Sequence, residues 1–217
     1  KKWKKYTVRN QKGTYTCMAQ TGAKIVEVTY PDKVFSASPI YDERANSGAG
    51  MWLGDLFDIL TKKEKVTFES RIKSQMLKSD AEVEKEAKKW NEEDTKISEM
   101  FSPEKYAYCS NDIDEIAGHL EAGVGLALVT FGTVAEWSKE KPQIIKAGLQ
   151  YEDKEAVVKH GIAIVDYGLI GGIKHLKIED SAHFGGISER WIDQKWLDKR
   201  CMGVGFVIEL GEMVEPT

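Results

Sequence analysis

Cys17 is the residue of this chain best placed to act as a nucleophile. Met18, Ala19, Ala23, Ile25 and Val26 follow it at the spacing of an apolar helical face, so a helix is expected to begin at the cysteine and run to about Val28. Thr14 and Thr16 are candidate caps, and Tyr30-Pro31-Asp32 marks the turn beyond. A thiol at a helix N-terminus feels the positive end of the macrodipole, which favours the thiolate, the nucleophilic form. Gln11 lies six positions upstream, in Val8-Arg9-Asn10-Gln11, where its side-chain N–H can be aimed at an oxyanion formed beside the sulfur. Such a nucleophile needs a base, and the base an orienting group. Of the four histidines, His160 stands at the mouth of the apolar run Gly161-Ile162-Ala163-Ile164-Val165, where a strand end holds a side chain rigidly toward a cleft. The next run, Leu176-Lys177-Ile178-Glu179, ends in Asp180-Ser181. With Gly171-Gly172 as the hairpin turn, Asp180 returns close to His160, where its carboxylate can hold the imidazole and stabilise the imidazolium.

The elements that must position these residues change character near residue 105. Before it the patterns are helical. Ser47-Gly48-Ala49-Gly50 is a small-residue loop leading into Met51, Trp52, Leu56, Phe57, Ile59 and Leu60, an amphipathic helix. Residues 69–100 are charge-rich with sparse apolar positions and read as one or two solvated helices. After 105, Asp112 to Ala122 reads as a helix capped by Asn111, followed by β-like runs at Val124–Phe131, Gly161–Tyr167, Ile173–Glu179 and Gly203–Leu210. The pattern is α+β, with a helical half followed by an antiparallel sheet or barrel half.

With 217 residues and a formal net charge of -4, the chain is long enough to bury a core without staples and lacks the basic footprint of a nucleic-acid binder. No run of apolar residues is long enough for a membrane span, and no signal peptide is visible. Three cysteines do not make a secreted disulfide framework, so a cytoplasmic or virion-associated setting is expected. The first residue is Lys1, which is compatible with excision from a larger polypeptide. Cys109 and Cys201 read as structural, His119 and His175 as packing or surface residues, and His183 as part of a glycine-rich loop. No cofactor or metal is indicated: His160, His175 and His183 lack partners at ligand spacing, and Gly203-Val204-Gly205 sits inside a strand pattern rather than before a phosphate-binding helix.

Taken together, these stretches resemble the papain family of cysteine peptidases. That family places a Val-Lys/Arg-Asn-Gln stretch the same six residues before its catalytic cysteine. The separation of Cys17 from His160, 143 positions, lies within the family's roughly 130–150. His160-Gly161-Ile162-Ala163-Ile164-Val165-Asp166-Tyr167-Gly168 resembles the family's histidine strand, and Ile178-Glu179-Asp180-Ser181 its Ile-Lys-Asn-Ser strand end. Ser47-Gly48-Ala49-Gly50-Met51 resembles the loop that holds substrate backbone and the second substrate side chain.

The resemblance implies a single two-lobed domain over 1–217: a helical lobe at about 12–105 and a β-barrel-like lobe at about 106–210, with residues 1–11 crossing onto the latter and the active-site cleft between the lobes. It implies a peptidase acting on protein or peptide substrates. Cys17 would be nucleophile, His160 base and acid, Asp180 orienter and Gln11 oxyanion donor, while Gly48, Ala49, Gly50 and Met51 would bind substrate. The departures are Met18 where the family has tryptophan, Asp180 where it has asparagine, and Ala182 where a tryptophan shields the histidine–asparagine contact; Trp191 and Phe184 are candidate replacements for that shield. Two further readings use the same parts: a transglutaminase- or amidase-like acyl transferase, and an inactive papain-like module that binds without catalysis.

Overall fold

Residues 17–29 form the helix on which the fold is organised, α1 (Cys17–Thr29). Every side chain from Met18 to Val28 is buried, so its polar stripe, Gln20, Lys24 and Glu27 at helical spacing, is covered as well as its apolar face. The computed structural model describes residues 8–101, 103–131, 144, 159–183 and 186–210. Four helices follow α1: α2 (Ser38–Asp42), α3 (Leu53–Thr61), α4 (Asp80–Ala87) and α5 (Glu92–Phe101). The charge-rich segment supplies α4 and α5, each bearing only a narrow buried stripe, while residues 69–79 stay irregular.

The remaining described elements are β1 (Pro103–Cys109), α6 (Ile113–Glu121), β2 (Leu126–Phe131), β3 (Lys159–Ile170), β4 (Ile173–Glu179), β5 (Glu189–Ile192), α7 (Gln194–Arg200) and β6 (Cys201–Leu210). Asp112, not Asn111, caps α6, its carboxylate accepting from the Asp114 and Glu115 N–H groups. The strands form one antiparallel sheet in the order β1-β6-β2-β3-β4-β5. Among the described residues the antiparallel half of this α+β fold is an open sheet with β1 and β5 at its edges. Strand alternation sends its side chains into a core on each face. Ala127, Ala163, Val165 and Val207 join α1, α2 and α3 on one side. Leu128, Ile162, Ile164 and Ile178 join Ile116 and Leu120 of α6 and Trp196 of α7 on the other. Gly171 and Gly172, at φ 59° and 81°, make the two-residue turn between β3 and β4, a backbone that other residues adopt only under strain.

Candidate active site

Cys17 is the first residue of α1, half-buried at the junction with the sheet. Thr14 and Thr16 do not cap the helix. No side-chain cap bond is made from Thr16; the two hydroxyls pair with one another at 2.8 Å, and Thr14 Oγ1 donates to the Gln11 carbonyl at 2.6 Å. The first N–H groups of α1 therefore remain available near the sulfur. Burial by itself would push the Cys17 thiol up. The His160 imidazole, and the N–H groups of Gly161 and Met18, outweigh it and hold the thiol below its ordinary range. The approach of helix to strand depends on Gly161: a Cβ there would lie 2.7 Å from Met18 Cε and 3.0 Å from Met18 Cα. Met18, the departure beside the nucleophile, is thus a packing partner of the residue beside His160.

His160 is the second residue of β3, paired with Thr130 of β2 and only 4% exposed. The β3–β4 hairpin, in register at Ala163–Glu179 and Ile164–Ile178, brings Asp180 back beside it. His160 Nε2 lies 2.6 Å from Asp180 Oδ1, which leaves Nδ1 to face Cys17. Asp180 is fully buried. Its Oδ1 also accepts the Ala182 N–H at 2.9 Å, and its Oδ2 takes a bond from Arg190 Nη1 at 3.2 Å. Burial opposes ionisation of this carboxyl, but the imidazole, the Ala182 N–H and the guanidinium hold it below the usual carboxylate range. Burial also opposes protonation of His160, and the carboxylate overcomes that, pushing the imidazole up to about 10. Cys17, His160 and Asp180 therefore stand connected, each with its charged form favoured by its neighbour.

Arg190 is the member of this site that sequence reasoning missed. It lies on β5 opposite Ile178, 1% exposed. The one sequence signal for it is the acid itself: a buried carboxylate facing a single histidine calls for a second cation. The shield expected from Trp191 is not built that way, since that ring lies near the Lys177 ammonium and against Gly168. Phe184 lies outside the described residues.

Gln11 is buried and held on two sides. Its N–H donates to the Ser181 carbonyl at 2.9 Å, and its Oε1 accepts from Ser181 Oγ at 2.7 Å. Its Nε2 donates to the Thr14 carbonyl at 2.7 Å, which uses one of two amide hydrogens. The glutamine is therefore tied both to the segment after Asp180 and to the turn before Cys17.

Beside Cys17 and His160 opens a largely apolar cavity of about 540 Å³. Ala49, Gly50 and Met51 line it; Gly48 is not among its lining residues, and its carbonyl is turned to Arg44 and Asn46. Trp52, Leu53, Tyr108, Val129, Met202 and Gly203 complete much of the wall. These come from the start of α3, the residue before it and three separate strands, so no local motif could have grouped them. Trp52 is 63% exposed at the rim, with the Lys159 ammonium 5.0 Å from its ring centre.

Behind the site, the buried stripe of α1 meets a charged network. Lys24 Nζ lies 2.9 Å from Glu27 and 3.1 Å from Glu179; Arg9 pairs with Glu27 and donates to Gln20 Oε1 at 2.7 Å, and its N–H donates to Glu179 Oε1 at 2.9 Å. Arg9, Lys24 and Glu179 belong to the same three segments that carry Gln11, Cys17 and Asp180. The network thus locks those segments together, and none of its members was assigned a part in such a network from sequence.

Neither protein-family models nor curated protein sequences give a match to this chain. Solved structures do. Xylellain, a cysteine protease from Xylella fastidiosa, is 17% identical with a TM-score of 0.72, over 95% of this chain and 82% of that one. The bromelain protease from Ananas comosus, in complex with the E64 inhibitor, is 14% identical with a TM-score of 0.64, over 95% and 96%. The Carica candamarcensis cysteine protease CMS1MS2, in complex with E-64, is 15% identical with a TM-score of 0.67, over 97% and 95%. This chain has the fold of the papain-like cysteine proteases.

Proposed function

We propose that the chain is a cysteine-type endopeptidase. The observation that carries this reading is the thiol at the start of α1, held below its ordinary range by an imidazole that is itself held at 2.6 Å by a buried carboxylate, all at the edge of an apolar cavity. The Cys17 thiolate attacks a peptide carbonyl carbon, forming a C–S bond and a tetrahedral oxyanion. The Cys17 N–H and the second hydrogen of Gln11 Nε2 stabilise that oxyanion. The C–N bond then breaks as the His160 imidazolium gives its proton to the leaving amine. Water, deprotonated by the same imidazole, attacks the thioester; the acid leaves and the thiolate–imidazolium pair is restored. The cavity accepts a large apolar side chain near the scissile bond, with Ala49, Gly50 and Met51 along the substrate backbone.

A thiol-reactive epoxide tests the assignment. Labelling is expected at Cys17 in the wild-type chain and absent in Cys17→Ala; labelling that persists in the variant overturns it. Cleavage of an unstructured protein, measured with and without an added amine acceptor, separates hydrolysis from acyl transfer. Absent turnover in folded, unlabelled protein whose Cys17 still reacts fully with the epoxide would favour a binding module.

A further inference from the structure

On the far side of the sheet from the cavity, three side chains of different donor type converge. The Cys109 sulfur, a Glu115 carboxylate oxygen and a His119 ring nitrogen all lie within 4.8 Å of one another. Cys109 ends β1; Glu115 and His119 stand four apart on α6, on one side of the helix and facing the strand end. The donors are already oriented. Ser110 Oγ donates to Glu115 Oε2, and the His119 ring packs against Phe206, tilted by 37° with centroids 4.0 Å apart. Strand alternation separates the cluster from the candidate active site: Tyr108 lines the cavity, whereas its neighbour Cys109 packs against the core beneath α6.

We propose that Cys109, Glu115 and His119 form a binding site for a borderline-soft divalent cation of the zinc class. One thiolate, one imidazole and one carboxylate make a three-ligand set typical of zinc, with the remaining position left to water. The helical i, i+4 pair and the strand end supply these donors from rigid elements, so the cation ties the first two turns of α6 to the end of β1. Binding forms the metal–sulfur bond and releases the Cys109 proton to solvent, so affinity rises with pH. The histidine spacings that argue against a metal motif do not bear on this cluster, because only one histidine takes part.

The test titrates Co²⁺ into Cys17→Ala protein, which removes the other thiol–imidazole pair as a rival site and makes the outcome independent of the peptidase reading. One equivalent is expected to bind with a thiolate-to-cobalt charge-transfer band, and Zn²⁺ is expected to displace it. Adding Cys109→Ser abolishes the band; adding His119→Gln or Glu115→Gln weakens binding by about tenfold or more, each checked for fold by circular dichroism. Absence of the band in Cys17→Ala, or its survival in the Cys109→Ser variant, overturns the proposal. The glutamine variants keep it exposed to refutation if the serine variant does not fold: unchanged Co²⁺ affinity in both rejects it.

Discussion

Cys17 and Cys109 are both half-buried thiols at the ends of regular elements, yet they shift in opposite directions. Burial pushes Cys109 up to about 12, with the Glu115 carboxylate adding to it, and burial likewise raises Cys201. Cys17 experiences the same penalty and still falls below its ordinary range, because His160 and two backbone N–H groups face the sulfur. Exposure therefore does not separate Cys17 from the other two thiols; the sum of the groups that face each sulfur does.

The largest test of that contrast is replacement of the facing imidazole. His160→Ala is expected to slow alkylation of Cys17 at neutral pH by a factor of about 10² to 10⁴, the range of a general-base contribution, while leaving Cys109 and Cys201 equally unreactive. Equal rates at Cys17 in the two proteins, measured by mass spectrometry of alkylated peptides, would show that the helix end alone activates the thiol.

Gln11→Ala is expected to lower kcat by about 10² to 10³, on the order of 3 kcal/mol, without changing the alkylation rate, because it removes an oxyanion donor and not a partner of the sulfur. Asp180→Asn sharpens the same distinction. A neutral amide stabilises the imidazolium less than a carboxylate does, so the alkaline limb of the pH–rate profile, set by His160 at about 10, moves down toward the ordinary imidazole value. The sign is fixed: an upward move, or none, rejects Asp180 as the source of the shift.

Arg190→Met leaves Asp180 buried with one cation instead of two. A loss of about 3 kcal/mol in urea unfolding at neutral pH is expected, the lower end for breaking a buried pair, since His160 remains. The smallest expected effect is at Gly161→Ala. Its Cβ would meet Met18 at 2.7 Å, and repacking at a cost of about 1–3 kcal/mol moves Cys17 relative to His160. Slower alkylation with an intact fold is the expected result.

Much of this site is legible in the residue order because its parts sit at element boundaries that patterning marks well. The start of α1, the Gly171-Gly172 turn and the end of β4 are all where periodicity and turn chemistry put them. The weaker readings fail for local reasons. Thr14 and Thr16 satisfy each other instead of the helix, and Asp112 outcompetes Asn111 as cap because its carboxylate reaches two N–H groups at once. β1 and β5 escape notice because they are edge strands: β5 is short, and β1 mixes aromatic and charged residues without clean alternation.

The sequence by itself determined which thiol, imidazole and carboxylate lie on which elements and that a glycine turn folds the last two together. Helix periodicity, strand alternation and positive-φ turns are properties of neighbouring residues, so they can be read along the chain. Only the tertiary structure decided that Arg190 holds Asp180, that Arg9, Lys24, Glu27 and Glu179 form a buried lock behind the site, and that β2 follows β6 rather than β1 in the sheet. Those contacts join residues far apart in sequence, and a charged side chain reads as solvent-facing until the fold supplies the opposite charge that makes its burial tolerable.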